Sequence, residues 1–306
     1  MTLRTLFAFC SFLLLLSMSL FSQPADVSAP ILIWPHGAPD ETGTFGPEHD
    51  TAKATDDLVG GKPVAKITNV TAPAITFYPA PADKNSHATV VVFPGGGYRI
   101  LAMDLEGMEV CRWLNSIGIN AVLLKYRVPQ RPGLSRYAGP LQDAQRTLGV
   151  VRSHANDWHV DPDRIGVLGF SAGGHLAAAL SNNFETRTYK TADPLDSVSC
   201  RPDFAILIYP AYLTTNDEGR QLSPELPVTA RTPPTFLVQT EDDPVHVENS
   251  LVYYRALKDA KVPAELHIYS KGRHGYGLRP TALPVTHWPA LAEEWLRSSE
   301  ILNKEQ

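Results

Sequence analysis

The 306-residue chain holds only three cysteines, and one of them, Cys10, stands inside an apolar leader. It has no C-x-x-C pair and no Cys/His cluster, which excludes a disulfide framework and a structural zinc site. Cationic excess is missing as well. Lys and Arg number 27 against 32 Asp and Glu, a formal net charge of −5. The chain has no reserve of positive charge to neutralise phosphates, so nucleic acid is excluded as a partner class. With 43% hydrophobic and 19% charged residues, it is neither a disordered tail nor a collagen-like repeat nor a coiled coil. No repeat period shows, and only one apolar run approaches membrane length.

That run opens the chain. Arg4 supplies a positive start, Leu6 to Phe21 carry no charge, and Ser19 and Ser22 are small residues before a cut. The pattern is that of a secretory signal peptide over residues 1–22. It predicts a secreted or periplasmic protein with no stable membrane insertion after cleavage. The rival, an uncleaved anchor, asks for a span of about 20 apolar residues, and the run is short of that. Phe9 before Cys10 argues against lipidation. Cys111 shares helical spacing with Met108 and Leu114, which favours a buried thiol; pairing with Cys200 is a matter of geometry. Residues 23–61, rich in Pro, Gly, Asp and Thr, read as an irregular arm, and residues 62–306 as one domain.

Apolar runs then alternate with amphipathic stretches. Strands are predicted at Ile75–Tyr78, Thr89–Phe93, Asn120–Lys125, Arg164–Leu168, Phe204–Ile208, Thr235–Gln239 and Ala264–Tyr269. Helices are predicted at Glu106–Ile117, Pro140–His154, Ala172–Leu180, Val247–Ala260 and Trp288–Leu302. Strands apolar on both faces and separated by helices form a mostly parallel sheet covered on both sides, an α/β fold. Such sheets bind ligands at the carboxyl ends of their strands. Chemically capable residues are therefore expected just after strands.

They stand there. Gly169-Phe-Ser171-Ala-Gly173 follows one strand and opens a helix. In G-x-S-x-G the serine occupies a strained turn that only small neighbours permit, and the next residue, Ala172, offers its N–H to an oxyanion. An ordinary glycine-rich βα turn is the bland alternative. Pro94-Gly-Gly-Gly-Tyr98 follows an earlier strand, and Gly96 and Gly97 are both candidates for the second amide donor. It matches neither G-x-G-x-x-G nor G-x-x-x-x-G-K, so a phosphate loop is not indicated. Asp242 and Asp243 compete as the acid after Gln239. Asp242 is preferred, because D-x-x-V places Val245 inward. His274, between glycines after the Tyr269 strand, is the base, giving the chain order Ser171, Asp242, His274. His175 reads as packed behind the turn. Tyr98 and His246 are candidate substrate contacts, and Tyr209, Tyr276 and Trp288 are either sugar-stacking walls or plain core.

Gly169–His175, the Pro94–Tyr98 loop, Glu106-Gly107, Lys125-Tyr-Arg127 and the His274 loop together resemble the α/β-hydrolase esterases. More narrowly, the chain resembles bacterial carbohydrate esterases related to acetylxylan esterase and to bifunctional feruloyl/acetylxylan esterase. The likeness runs from Ile31 to Leu302. It implies the α/β-hydrolase fold, a catalytic domain over residues 62–306, and hydrolysis of short-chain, mainly acetyl, esters on plant cell-wall carbohydrate. The Ser171–His274–Asp242 triad and the Ala172 and Gly96/Gly97 amides would carry it, with neither metal nor organic cofactor. Pro94 stands where the hormone-sensitive-lipase group has His, which argues against that branch. Glu106 matches a family position to which the sequence assigns no task. Two other readings stay open: a serine peptidase of the prolyl-oligopeptidase type, and a non-catalytic carbohydrate-binding protein on the same fold. No motif sets an oligomeric state.

Overall fold

The computed structural model describes residues 27–215 and 220–302; the expected signal peptide lies outside the described residues. In chain order the strands are β1 (Ile31–Leu32), β2 (His49–Asp50), β3 (Lys66–Thr68), β4 (Ala74–Tyr78), β5 (Thr89–Phe93), β6 (Leu101–Ala102), β7 (Asn120–Lys125), β8 (Ile165–Phe170), β9 (Ala205–Ile208), β10 (Thr235–Thr240) and β11 (Ala264–Tyr269). The helices are α1 (Glu109–Ser116), α2 (Ala138–Ser153), α3 (Ala172–Asn182), α4 (Glu248–Asp259) and α5 (Trp288–Ser298). Eight strands form one sheet in the order β1-β4-β7-β5-β8-β9-β10-β11. The β1–β4 and β4–β7 pairs are antiparallel, and every pair from β7 to β11 is parallel. Three short strands, β2, β3 and β6, make a separate antiparallel patch. This is the α/β-hydrolase fold with a mainly parallel sheet.

The strand sequences explain the two-sided burial. Every residue of β5 and β8 is buried. Because side chains alternate across a strand, Val91 and Phe93 enter the apolar cluster on one face while Val90 and Val92 enter the other. Each such side chain contributes roughly 1.5–3 kcal/mol. Register then aligns the strand ends. Phe93 lies opposite Gly169, Phe170 opposite Ile208, Ile208 opposite Val238, and Thr240 opposite Tyr269. Loops leaving at Pro94, Ser171, Tyr209, Glu241 and Ser270 thus emerge side by side on one edge.

Several elements differ from expectation for local reasons. The strand predicted to stop at Leu168 continues to Phe170, so Ser171 follows it directly. Helix 106–117 begins as a π-helical turn, Asp104–Met108, before α1. The last helix ends at Ser298; Ile301 and Leu302 then fold back, both donating their N–H to the Leu296 carbonyl. Within the arm, Ile31 and Leu32 pair with β4, while Ile33 and Trp34 are buried. Cys111 and Cys200 are free and buried. Among the described residues no helix is long and apolar enough to cross a membrane.

Candidate active site

Ser171 caps the passage from β8 to α3 with φ +52° and ψ −117°. A non-glycine residue in that region costs about 1–3 kcal/mol, and the surroundings enforce it. The Ser171 N–H donates to the Ile208 carbonyl (3.0 Å), and its own carbonyl accepts from the His175 and Ala211 amides (3.1 and 3.0 Å). A Cβ on Gly169 would stand 2.0 Å from the Gly173 carbonyl oxygen, and one on Gly173 would stand 2.0 Å from that of Phe93. Both motif glycines are therefore demanded by space. Ala172 is the first residue of α3, where an N–H has no intrahelical acceptor. Among the described residues it has no partner, so it stays unspent beside the serine.

His274 reaches this serine from the loop after β11. Its Nε2 lies 2.8 Å from Ser171 Oγ and its Nδ1 lies 2.8 Å from Asp243 Oδ2. The loop is bent by positive φ at Arg273 (+57°) and Gly275 (+78°). It is pinned by the Thr240 hydroxyl, which donates to the Arg273 carbonyl (2.7 Å). Edge-on packing against Tyr209, with ring centres 4.9 Å apart, fixes the imidazole plane.

The carboxylate that bonds to His274 is that of Asp243, and the expectation of Asp242 is corrected. β10 runs one residue beyond its predicted end, through Thr240, which shifts the following turn by one. Asp243 then points inward. Its Oδ2 also accepts from Gln239 Nε2 (3.0 Å) and its Oδ1 from the Val245 amide (2.7 Å). Asp242 stands exposed on the other side of the turn and accepts the amides of Gly272 and Arg273 (2.9 and 2.7 Å). These bonds, that of Arg273 foremost, hold its carboxyl below the usual range. Asp242 staples the acid-bearing turn to the histidine loop.

The glycine loop lies against the nucleophile: a Cβ on Gly95 would be 3.0 Å from Ser171 Cβ. The Gly95 amide is spent on Glu106 Oε2 (2.7 Å). Gly96, at φ +132°, gives its carbonyl to the Arg99 and Ile100 amides. The amides of Gly96 and Gly97 have no partner among the described residues, so both remain candidates beside Ala172. A hydroxyl, a base aligned by a buried acid, and unspent amides facing one point are the parts that acyl transfer needs.

Comparisons with known proteins give the family. A solved acetyl ester-xyloside bifunctional hydrolase from Caldicellulosiruptor lactoaceticus is 41% identical, covers 77% of this chain and 91% of its own, and superposes with a TM-score of 0.67. The chain belongs to the α/β-hydrolase esterases. A model of the prolyl oligopeptidase family matches residues 142–297, about half the chain and the half that carries Ser171, Asp243 and His274. A model described as BD-FAE matches residues 75–201, which hold the glycine loop, Glu106 and Ser171. An acetylxylan esterase of Xylanibacter ruminicola is 32% identical over 64% of this chain and 42% of its own length. Endo-1,4-beta-xylanase B of Butyrivibrio fibrisolvens is 31% identical over 61% of this chain and 32% of its own. The chain thus spans less than half of these two curated relatives.

Several residues of this hydrolase sit differently from the sequence reading. Glu106, left without a task, is a buried hub. Its Oε2 holds Gly95, and its Oε1 accepts the Tyr209 hydroxyl (2.8 Å), whose oxygen accepts the Gly277 amide (3.1 Å). Glycine loop and histidine loop are thereby tied through one carboxyl, which burial pushes above its ordinary pKa. The available signal was an acid at helical spacing with Val110 and Leu114, both buried. Tyr98, expected as a substrate contact, is a buried strut that also lines a cavity beside the glycine loop. It is 1% exposed at φ +59°, and its hydroxyl is 2.7 Å from His175 Nδ1. The burial that packs His175 behind the serine also holds its pKa down. His246 is the other expected substrate contact. It is exposed on the turn, its N–H donates to the Asp243 carbonyl (3.0 Å), and its ring makes no hydrogen bond among the described residues. Tyr209, Tyr276 and Trp288 are buried support for the histidine loop, not open sugar platforms.

Proposed function

We propose that this chain is an exported serine esterase that removes short acyl groups, acetyl foremost, from plant cell-wall carbohydrate. The observation that carries the reading is the line Asp243–His274–Ser171, with two 2.8 Å hydrogen bonds ending beside the unspent amides of Ala172 and the glycine loop. In this mechanism His274 takes the Ser171 proton as Oγ attacks the ester carbonyl carbon, and Asp243 stabilises the imidazolium. The oxyanion accepts the Ala172 N–H and one of the Gly96 or Gly97 amides. Collapse breaks the bond to the sugar oxygen, which His274 protonates. A water deprotonated by His274 then releases the carboxylic acid from Ser171. The carbohydrate is supported by the likeness to xylan-acting relatives, and export by the leader at residues 1–22.

Ser171→Ala is expected to lower turnover of p-nitrophenyl acetate by at least about 10⁴-fold and to abolish fluorophosphonate labelling. Wild-type enzyme is expected to release acetate from acetylated xylan and to leave long-chain p-nitrophenyl esters largely untouched. Retained labelling in the variant would end the serine assignment. The match to the prolyl oligopeptidase family favours a second reading, a peptidase. Cleavage of proline-containing aminoacyl amides in preference to acetyl esters would establish it.

A further inference from the structure

The buried arginines of this fold have carboxylate partners. Arg127 pairs with Asp143, Arg146 with Asp193 and Asp196, and Arg279 with Asp104 and Glu109. Arg99 and Arg136 are among the surface cations with no carboxylate within ion-pair distance among the described residues, and they are set apart by sharing one cavity. Both are exposed, and both line the same cavity of about 310 Å³, whose inner wall is Gly97 and Tyr98 and whose far wall includes Gln130 and Tyr212. No acidic side chain lines it. The cavity therefore includes a candidate oxyanion donor and is flanked by two guanidinium groups, of which Arg136 also acts at longer range on Glu225. It continues past Gln130, Arg136 and Tyr212 into a second hollow of about 560 Å³. The nearest acid on that path, Glu225, lines the outer hollow and is engaged by His175 Nε2 at 3.4 Å.

Arg136 is also held in position. Its guanidinium carbon sits 4.4 Å above the centre of the Tyr212 ring. Stacking fixes the plane of the fork and leaves its N–H rim free, which lowers the entropy lost when a planar anion binds. A carboxylate matches that fork with two charge-assisted hydrogen bonds. A neutral sugar would leave both charges facing water only.

We infer that the cavity between Gly97, Arg99 and Arg136 is a subsite for a carboxylate on the ester substrate, so that this enzyme selects acidic esters over neutral ones. The inference rests on the esterase reading above. The carboxylate has two possible sources, a uronic acid on the glycan or the free acid of a dicarboxylic acyl group, and both are tested. One arm compares wild-type kcat/KM on acetylated xylo-oligosaccharides with and without a glucuronic acid branch. The other compares mono-p-nitrophenyl succinate with p-nitrophenyl butyrate.

In at least one arm the acidic substrate is expected to be favoured about tenfold at low salt. That ratio is expected to fall toward one at about 0.5 M NaCl and in the Arg99→Gln/Arg136→Gln double variant. The arm that responds names the source. A ratio near one in both arms, or a preference that survives the double substitution, overturns the subsite. Calorimetric titration of Ser171→Ala with glucuronic-acid-substituted xylotetraose and with xylotetraose separates the two claims. Equal binding together with deacetylation of neutral glycan sinks the subsite and keeps the esterase. Tighter, salt-sensitive binding of the acidic sugar with no acetate released from any glycan by wild-type enzyme keeps the subsite and sinks the carbohydrate esterase.

Discussion

Asp143, on α2, faces Arg127, while Asp243, after β10, faces His274; both carboxylates are buried. Around Asp143 the hydrogen bonding is closed. It accepts from Trp34 Nε1 (2.8 Å), from the Arg127 amide (2.9 Å) and from Arg127 Nε (3.0 Å). The remaining Arg127 donors go to the Gly139 carbonyl and Gln142 Oε1 (3.0 and 2.8 Å) and to the Pro39 carbonyl. The cluster staples the N-terminal arm to α2 and to the end of β7. Around Asp243 the chain of bonds is open. His274 keeps a quarter of its side chain exposed, and beyond it lies a hydroxyl with no further acceptor to satisfy. Two acids with the same burial thus differ in whether the partner retains a free face. Complete satisfaction makes a staple, and an unfinished line makes a proton relay.

Substitution at each acid should separate these roles. Asp243→Asn is expected to lower kcat on p-nitrophenyl acetate by about 10⁴-fold with little change in melting temperature, whereas Asp242→Asn stays within a few-fold of wild type. A reversal would restore the acid that the sequence favoured. Asp143→Ala is expected to behave oppositely. It leaves a buried guanidinium unpaired and should cost roughly 3–5 kcal/mol in chemical denaturation, with kcat per folded molecule nearly unchanged. Glu106 lies between the two cases, fully bonded yet tied to both reactive loops. Glu106→Gln places an amide against the Gly95 or Tyr209 donor and is expected to reduce kcat about 100-fold while KM moves less than about threefold. An equal loss in KM would make it a binding residue.

The smallest effect concerns two half-buried acids at the surface. Arg164 holds the Asp161 carboxyl below its usual range, and Arg146 does the same for Asp193. A depressed folded pKa means that the unfolded chain binds more protons just below the ordinary value. This stabilisation is complete above about pH 4 and is lost as pH falls through the depressed values. These pairs should make the melting temperature fall below about pH 4, more steeply at low salt than at high, because salt screens both the pairs and the acid-state repulsion. The depressed His175 adds an earlier decline as pH drops below its ordinary value of 6.5. A melting temperature that rises as pH falls through about 4 would overturn the role given to these pairs.

Much of this was legible in the chain. Ser171 and His274 were found because G-x-S-x-G and a glycine-flanked histidine after a strand are local steric solutions, written in adjacent residues. Strand and helix order followed from two-sided apolar runs. The acid was misassigned because Asp242 and Asp243 are consecutive, and a one-residue error in the end of β10 exchanges inside for outside. Glu106 could not be read locally. Its partners, Gly95 and Tyr209, lie 11 and 103 residues away, and only the sheet brings them together. The arm looked irregular because Ile31–Trp34 is a brief apolar run amid proline and glycine, although Trp34 reaches an acid 109 residues on.

β11 has a single neighbour in the main sheet, β10, and it delivers His274 to a serine carried by β8, three positions inward. A nascent chain thus presents a hydroxyl without its base until this outermost strand docks. Hydrolysis is switched on by the completion of folding, and an unfinished copy leaves the acyl groups around it untouched.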